Sequence, residues 1–290
     1  MSGIVYLNGE LLPRERAVVS VDDRGFTFGD GVYEVMRALD GRFFQAGPHL
    51  ARLRDGLRGL EIEGGSDTSS ETLLDLARRL LEENGLGGGH ATVYLQVTRG
   101  AAPRTHYFPP AGTAPTVYLS AARLVPPAAQ CERGGEAVTH PDLRWARCDL
   151  KTVNLLPNVL AKQAAVAAGA TEAVLVRDGV VTEGSHTTVF AVVGGELRTH
   201  PLSPRILPGV TRGLLLRVAA ERGIAAREEA VRVEELARAD ELLVCGTTTD
   251  VTPIVRLDGR PVGEGRPGPV ARALYEGLLE RMAGPVPAGE

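Results

Sequence analysis

The sequence predicts an α+β protein with two domains. Its 290 residues fit two modest domains at roughly 150 residues each. Short strand-like runs, joined by glycine-containing turns, alternate irregularly with amphipathic helical segments. This order favours α+β sheets or a barrel-like core, because a doubly wound α/β fold requires regular alternation of strands and helices.

Five dipeptides predict tight hairpin turns. Each has glycine in its second position and lies between two strand-like runs, as is typical of two-residue hairpin loops. The five are Asn8-Gly9, Asp40-Gly41, Asp178-Gly179, Gly194-Gly195 and Asp258-Gly259. Two longer strands are predicted at 91–99 and 116–124, separated by a loop that contains proline and glycine.

Five segments predict helices. The first begins near Pro48 and carries leucines at helical spacing. These leucines are Leu50, Leu53, Leu57 and Leu60. The second is framed by a capping box of Thr68 and Glu71 and by Asn84-Gly85 at its end. The remaining helices are predicted at 156–168, 210–222 and 269–282.

The stretch VPPAAQCERGG, residues 125–135, is predicted to be a linker because it is rich in residues that interrupt helices and strands. It separates an N-terminal α+β domain, residues 1–124, from a C-terminal domain, residues 136–290. The second domain is expected to have mixed sheets with a barrel-like core.

Composition excludes several classes of protein. A net charge of −4 without long runs of like charge argues against nucleic-acid and membrane partners. The three cysteines are far apart and form no CxxC pair, so neither a disulfide framework nor a metal site is indicated. No GxGxxG or Walker motif is present, which weakens nicotinamide and nucleoside-triphosphate interpretations. The first residues lack the features of a secretory signal, so a cytoplasmic location is expected.

Lysine is rare in this chain. Of 32 basic residues, only Lys151 and Lys162 are not arginine. Unlike a guanidinium, a lysine amine in an apolar surrounding loses its proton and attacks an aldehyde. Lys151 lies among alternating apolar and polar residues of strand character, so its stem is expected to be buried, whereas Lys162 is expected to be a solvated helix lysine. The rarity of lysine on its own is also compatible with chance.

Two turns offer sites for an anion. Leu207-Pro208-Gly209-Val210-Thr211 leads into a predicted helix, whose first N–H groups and the Thr211 hydroxyl would face a phosphate. The run 246–249, of one glycine and three threonines, follows an apolar strand and includes Thr247. An ordinary capped helix and an ordinary turn explain each feature equally well when it is taken alone.

Three further residues could carry charge into a site. Glu183 follows a strand-like run and, if buried, must pair with a cation or a protonated heterocycle. Arg104 and His106 are two positions apart on a loop, so both could grip a carboxylate, although a solvated loop is the simpler interpretation. A lysine, a phosphate cradle, a carboxylate and an anion clamp together are what a pyridoxal phosphate enzyme requires.

Five strings resemble the class IV pyridoxal phosphate aminotransferases, in particular their D-amino-acid-specific group. They are DRGFTFGDGVYEV (23–35), QVTRGAAPRTHYFP (96–109), RWARCDLKTVNLLPNVLAKQ (144–163), EGSHTTVF (183–190) and ILPGVTRG (206–213). The resemblance covers nearly the whole chain in order. It implies the two-domain fold of that family (fold type IV), with the cofactor at the domain interface and most cofactor contacts in the C-terminal domain.

The resemblance assigns roles to individual residues. Lys151 matches the lysine that holds the cofactor as an internal aldimine and then moves the substrate Cα proton. Glu183 matches the carboxylate that faces the pyridine nitrogen. The remaining cofactor-binding positions of the family match Arg52, Leu207, Val210, Thr211 and Thr247.

The resemblance also implies how substrate is bound. Tyr33, Arg104 and His106 match the residues that grip the substrate carboxylate in D-specific enzymes. The RxH loop there comes from the neighbouring subunit, so a homodimer with shared active sites is implied. Where that group has a run of serines, this chain has Ser185-His186-Thr187-Thr188, and Phe26 replaces a common tyrosine. The bulk of His186 bears on side-chain preference and rate.

The expected activity is transamination of D-alanine with 2-oxoglutarate, which yields pyruvate and D-glutamate. Sibling activities of the same fold remain alternatives: branched-chain L-amino-acid transaminase, (R)-amine transaminase and aminodeoxychorismate lyase. A non-catalytic protein that binds the cofactor is a hypothesis from another class. The expected partners are small amino acids and 2-oxo acids.

Overall fold

The computed structural model describes residues 3–284, which form two compact units. Unit 1 consists of residues 3–125 together with Leu150–Asn154, and unit 2 consists of Pro126–Asp149 and residues 155–284. The outer ends of the two predicted domains, residues 1–2 and 285–290, lie outside the described residues. No helix in the described part of the chain is long and apolar enough to cross a membrane.

Unit 1 is built on a six-stranded sheet in the order β2-β1-β6-β5-β3-β4, in which every paired neighbour is antiparallel. Its strands are β1 (Ile4–Leu7), β2 (Glu10–Pro13), β3 (Gly31–Leu39), β4 (Arg42–Phe44), β5 (His90–Thr98) and β6 (Thr116–Arg123). Its helices are α1 (Arg24–Phe28), α2 (Ala46–Gly59) and α3 (Ser70–Glu83). One face of this sheet packs against the leucines of α2 and α3.

The cap of α3 differs from the prediction. Ser69, not Thr68, is the N-cap, and its side chain accepts a hydrogen bond from the Thr72 backbone N–H. Thr68 belongs to a short 3-10 turn that precedes the helix. The predicted capping box was therefore shifted by one residue, whereas the predicted end of the helix at Asn84-Gly85 is confirmed.

Unit 2 is built on a nine-stranded mixed sheet. Eight strands run in the order β12-β11-β10-β13-β14-β7-β8-β9, and β15 pairs with β14. The strands are β7 (Gly135–Pro141), β8 (Glu172–Arg177), β9 (Val180–Gly184), β10 (Thr188–Val193), β11 (Glu196–Thr199), β12 (Ala226–Glu228), β13 (Glu241–Gly246), β14 (Asp250–Leu257) and β15 (Arg260–Pro261). Consecutive strands β9 and β10 also pack together, so the sheet curls back on itself as a barrel does.

Three helices of unit 2 fall where the sequence predicts them, and two short helices, α4 and α7, were not predicted. They are α4 (Ala128–Arg133), α5 (Leu156–Ala167), α6 (Val210–Glu221), α7 (Val233–Leu236) and α8 (Pro269–Ala283). Helix α4 lies inside the stretch predicted to be a linker, where Cys131 is buried against β14. Lys162 on α5 is half-buried rather than solvated, because its Nζ donates to the backbone carbonyl of Thr171.

The segment that carries Lys151 returns to unit 1. Thr152 forms an isolated bridge with Val32 on β3, and the Tyr33 N–H donates to the Lys151 carbonyl over 3.0 Å. The strand predicted around Lys151 is absent from the described chain between β7 and α5. The sequence placed all of 136–290 in the C-terminal domain, whereas Leu150–Asn154 is grouped with the N-terminal unit.

Candidate active site

Lys151 and Tyr33 lie side by side in unit 1. The Lys151 Nζ lies 4.2 Å from the centre of the Tyr33 ring, where a cation is attracted by the electrons of the ring face. Lys151 is half-buried, so its stem is covered only in part. The backbone hydrogen bond from Tyr33 to Lys151 fixes the two residues relative to each other. This pair unites two of the sequence-predicted site residues.

Arg52 is held in a buried cluster with Glu34 and His49. Its Nε and Nη2 donate to the two Glu34 carboxylate oxygens over 2.7 and 2.9 Å. The His49 Nδ1 donates to Glu34 Oε2 over 2.8 Å. Glu34 is fully buried on β3, and both partners are on α2. The guanidinium of Arg52 is therefore fixed in one orientation.

The charges in this cluster stabilise each other. Burial alone would raise the pKa of Glu34, but the Arg52 charge and the hydrogen bonds from His49 and Arg52 outweigh it and lower that pKa to about 2. Burial lowers the pKa of His49; the hydrogen bond and charge of Glu34 oppose this effect, and the positive charges of Arg52 and Lys151 add to it. Glu34 is thus ionised at any ordinary pH.

A row of tyrosines crosses the sheet beside Tyr33. Tyr33 stacks on Tyr94 with ring centres 5.7 Å apart, and Tyr94 lies 6.3 Å from the ring of Tyr118. Burial raises the pKa of Tyr94 to about 12, and its hydroxyl donates to the Gln96 side chain over 2.7 Å. The Tyr33 ring therefore contacts both the Tyr94 ring and the Lys151 amine.

Arg104 and His106 are exposed on the loop between β5 and β6. Both contact Phe28 of α1: the Arg104 guanidinium lies 4.9 Å from the Phe28 ring centre, and the His106 ring meets it edge-on at 5.6 Å. The Arg24 Nη1 donates to the Thr105 carbonyl over 2.9 Å, which ties the loop to α1. The two side chains are therefore held together but presented outward.

Glu183 is buried at the end of β9 in unit 2, with 5% of its surface exposed. Its Oε2 accepts a hydrogen bond from the Arg144 Nη1. Arg144 is in turn held by Asp142, which accepts from the Arg144 Nε and Nη2 over 2.9 Å each. The sequence analysis expected that Glu183, if buried, would pair with a cation, and Arg144 is that cation.

Helix α6 begins in a way that suits an anion. Its N-cap is Gly209, which offers no side chain, so the first N–H groups receive no side-chain cap. A Cβ on Gly209 would meet the Thr188 hydroxyl at 2.7 Å, so glycine is required for this close approach. Val210 and Thr211 form the first turn and are half-buried. This open helix start fits a phosphate group.

The two remaining predicted cofactor residues are also in unit 2. Leu207 is half-buried in the segment before α6, and Thr247 is half-buried in the turn between β13 and β14. His186, which departs from the family pattern, has its Nδ1 3.2 Å from the buried Glu172 carboxylate. Glu172 also accepts hydrogen bonds from the hydroxyls of Ser185 and Thr187. This carboxylate thereby holds the turn that follows Glu183.

Sequence reasoning missed the residues that fix the predicted ones. The sequence did contain an indication for Glu34. Val32, Met36 and Ala38 lie on the same buried face of β3, and a carboxylate on such a face requires a partner. No such indication existed for the hydrogen bonds that link Asp142, Arg144 and Glu183, because 39 positions separate Arg144 from Glu183. Among residues 3–284, no cluster of acidic, histidine or cysteine side chains is placed to hold a metal ion.

Comparison with known proteins identifies the family. The family described as amino-transferase class IV matches residues 31–257, which is most of the chain. The chain belongs to the class IV aminotransferases. This class IV chain is therefore an aminotransferase with the fold of that family, as the sequence predicts.

Relatives of this class IV aminotransferase are similar over nearly their whole length. The chain is 41% identical over 274 residues to the D-alanine aminotransferase of Staphylococcus haemolyticus, covering 94% of the chain and 96% of that relative. It is 39% identical over 283 residues to the D-alanine aminotransferase of Bacillus licheniformis, covering 96% and 98%. Among solved structures, the Escherichia coli branched-chain amino acid aminotransferase is similar with a TM-score of 0.89 and 28% identity, covering 95% of this chain and 93% of that one.

Proposed function

We propose that this protein is a D-amino-acid transaminase that converts D-alanine and 2-oxoglutarate into pyruvate and D-glutamate in two half-reactions. The observation that carries the proposal is the identity of 39–42% with D-alanine aminotransferases over 94–96% of the chain. A branched-chain L-amino-acid transaminase is the second candidate, because solved branched-chain enzymes have similar folds. Their sequence identity to this chain, 26–29%, is lower.

The cofactor in this proposal is pyridoxal 5'-phosphate. When bound, it supplies an aldehyde for the amino group of the substrate and a ring that accepts the electrons left when the Cα proton departs. Three features of the chain fit it. They are the Lys151 amine, the buried Glu183 carboxylate with its guanidinium partner, and the open helix start at Gly209.

Each residue has a defined task in this proposal. Lys151 would hold the cofactor covalently, and its Nζ would move the Cα proton of the substrate. Glu183 keeps a proton on the ring nitrogen by charge pairing. The phosphate and the ring are held by Arg52, Leu207, Val210, Thr211 and Thr247. Because Glu34 fixes the Arg52 guanidinium, this charge is preorganised for the phosphate.

Tyr33, Arg104 and His106 bind the substrate carboxylate in the proposal, with Arg104 and His106 supplied by a partner subunit. The outward presentation of these two side chains on a tethered loop supports this assignment. Exposed apolar side chains on α5 support a homodimer, since such patches commonly mark protein interfaces. They are Leu156, Val159, Leu160 and Val166. The cytoplasmic location predicted from the sequence remains a prediction.

A panel of amino donors tests the proposed function. Holoenzyme supplied with 2-oxoglutarate is expected to use D-alanine with a larger kcat/KM than L-leucine or (R)-1-phenylethylamine. The carboxylate clamp fixes which Cα hydrogen faces Lys151, and therefore which enantiomer reacts. A preference for L-leucine would contradict the D-specific assignment. A cofactor spectrum that no amino donor changes would indicate a non-catalytic binding protein.

Replacement of Arg104 tests the carboxylate clamp. Arg104→Ala is expected to raise KM for D-alanine by about 30- to 160-fold, because a charge-assisted hydrogen bond is worth about 2–3 kcal/mol. The measurement is the D-alanine half-reaction under single-turnover conditions. Arg58→Ala is the matched control, since Arg58 forms only an exposed pair with Asp55 on α2. Unchanged kinetics in Arg104→Ala would remove Arg104 from the clamp.

The same variant tests whether active sites are shared between subunits. Lys151→Ala and Arg104→Ala proteins are unfolded together, refolded and assayed with D-alanine. In a mixed dimer, one of the two sites receives an intact Lys151 from one chain and an intact Arg104 from the other. Statistical mixing is therefore expected to restore about a quarter of the wild-type rate. No gain above the separate variants would place Arg104 in the site of its own chain.

A further inference from the structure

Asp142 lies at the centre of a buried ionic cluster in unit 2. Its Oδ1 accepts from the Arg144 Nε over 2.9 Å and lies 3.0 Å from the Arg177 Nη2. Its Oδ2 accepts from the Arg144 Nη2 over 2.9 Å and from the Thr182 hydroxyl over 2.8 Å. The Asp142 side chain is fully buried. These three partners, Arg144, Arg177 and Thr182, hold the Asp142 carboxylate in one position.

Arg144 connects Asp142 to Glu183 by hydrogen bonds. Two of its nitrogens are occupied by Asp142, and its third, Nη1, donates to Glu183 Oε2. Because a guanidinium is planar and rigid, fixing two of its nitrogens also fixes the direction of the third. Asp142, which lies 41 positions before Glu183 in the chain, thus fixes the direction from which Arg144 donates to Glu183.

The charges in the cluster favour a negative Glu183. Burial acts to raise the pKa of Asp142, but its hydrogen bonds with Arg144 and the Arg144 charge outweigh it and lower that pKa to about 2. Arg144 is consequently shared between two carboxylates and neutralises neither completely. Arg177 on β8 is the second cation that faces Asp142, and burial raises the pKa of the nearby Cys148 thiol, which keeps that thiol neutral.

We propose that Asp142 is a positioning residue for Glu183. It orients Arg144 against Glu183 Oε2 and takes up part of the Arg144 charge, so that Glu183 keeps its negative charge for a protonated ring nitrogen. Without Asp142, Arg144 would lose one of its two carboxylate partners and keep Glu183 as the other, and the surrounding charge would become more positive by one unit. Both changes lower the pKa of the ring nitrogen that faces Glu183. This inference rests on the proposed function, because it concerns the cofactor that Glu183 faces there.

The test follows the ring proton directly. Holoenzyme is prepared with pyridoxal phosphate labelled with nitrogen-15 in the ring, whose resonance distinguishes the protonated from the unprotonated nitrogen. In Asp142→Asn, the ring nitrogen is expected to lose its proton at a pH lower by about one unit or more, which is a tenfold weaker hold. Cofactor affinity, measured by titrating the apoprotein with pyridoxal phosphate, is expected to fall about tenfold.

Two further variants separate charge from packing. Thr182→Val removes one hydrogen bond to Asp142 but no charge, so it is expected to shift the ring titration in the same direction by less. Glu241→Gln removes a different buried carboxylate, which accepts from the backbone N–H groups of Val270 and Ala271 at the start of α8, and is expected to leave the titration unchanged. An equal shift in Glu241→Gln would overturn the inference.

The outcomes distinguish this inference from the proposed function. If wild-type protein neither binds pyridoxal phosphate nor transaminates D-alanine, the proposed function fails and the inference fails with it. If wild-type protein does both and Asp142→Asn has the wild-type ring titration, the inference alone is overturned. If Asp142→Asn does not fold, Thr182→Val decides: a downward shift supports the role of Asp142, and a wild-type titration overturns it.

Discussion

Replacing Lys151 with alanine is expected to reduce turnover of D-alanine by about 10³-fold or more, because a positioned acid–base group alone contributes about 10²- to 10⁴-fold. In the proposed function, the Lys151 amine both holds the cofactor and moves the Cα proton, and the variant loses both roles. Its fold is expected to survive, since the amine contributes a ring contact worth about 0.5–1 kcal/mol at a partly exposed site. Pyruvate formation and the thermal unfolding midpoint measure the two effects.

Lys162→Ala is the matched control, because Lys151 and Lys162 are the only lysines of the chain. Lys162 donates to the Thr171 carbonyl between α5 and β8, so its loss is expected to lower stability slightly and leave turnover unchanged. Borohydride treatment of the wild-type holoenzyme is expected to add the cofactor mass to the tryptic peptide 148–162, at Lys151. An adduct at Lys162, or wild-type turnover in Lys151→Ala, would contradict the assignment.

The hairpins of this protein could be predicted from sequence because the turns determine them locally. All five predicted dipeptides are two-residue loops between antiparallel strands, and both residues of each loop have positive φ. In the first, Asn8 and Gly9 have φ of 48° and 98°. Only asparagine, aspartate and glycine adopt such angles readily, so the residue types themselves report the backbone conformation. The leucine periodicity of α2 is equally local, because its spacings of three and four residues place the leucines on one face of the helix, which packs against the sheet.

The site could be predicted only in part. Lys151 was singled out because lysine is rare in this chain, and Glu183 because a carboxylate beside apolar strands requires a partner if it is buried. The catalytic roles of both residues stay predictions. Nothing near Lys151 in the sequence shows that its segment leaves unit 2 and pairs with β3, because that pairing is between residues 32 and 152. Long-range contacts of this kind depend on the whole fold, and a local pattern does not contain them.

The supporting residues were missed for the same reason. Glu34 lies next to Tyr33 in the sequence, but its partners His49 and Arg52 are on another element and meet it only after β3 packs against α2. Their spacing of three residues places them on one side of that helix, facing the carboxylate. The functional assignment of Arg52 by resemblance therefore did not include the acid that orients it.

Glu34 also makes folding sensitive to acid. Its pKa is about 2 in the folded protein and 4.5 ordinarily, so the folded state binds this proton less readily than the unfolded chain. The resulting stabilisation, about 3 kcal/mol, is complete above pH 4.5 and is lost as the pH falls towards 2. His49 acts in the same sense at higher pH: burial lowers its pKa below 6.5, so protonation favours the unfolded chain as the pH falls below that value.

Glu34→Gln is therefore expected to lower the free energy of unfolding at neutral pH by about 3–5 kcal/mol, because it leaves the buried Arg52 charge without its carboxylate. Between pH 4.5 and 2 the variant should also show a shallower loss of stability than the wild type, since the group that titrates there is gone. Urea unfolding followed by circular dichroism over this pH range measures both effects. Asp75→Asn, which breaks an exposed pair with Arg78, should change stability by less than about 0.5 kcal/mol. Equal losses in the two variants would show that Glu34 does not hold Arg52 by charge.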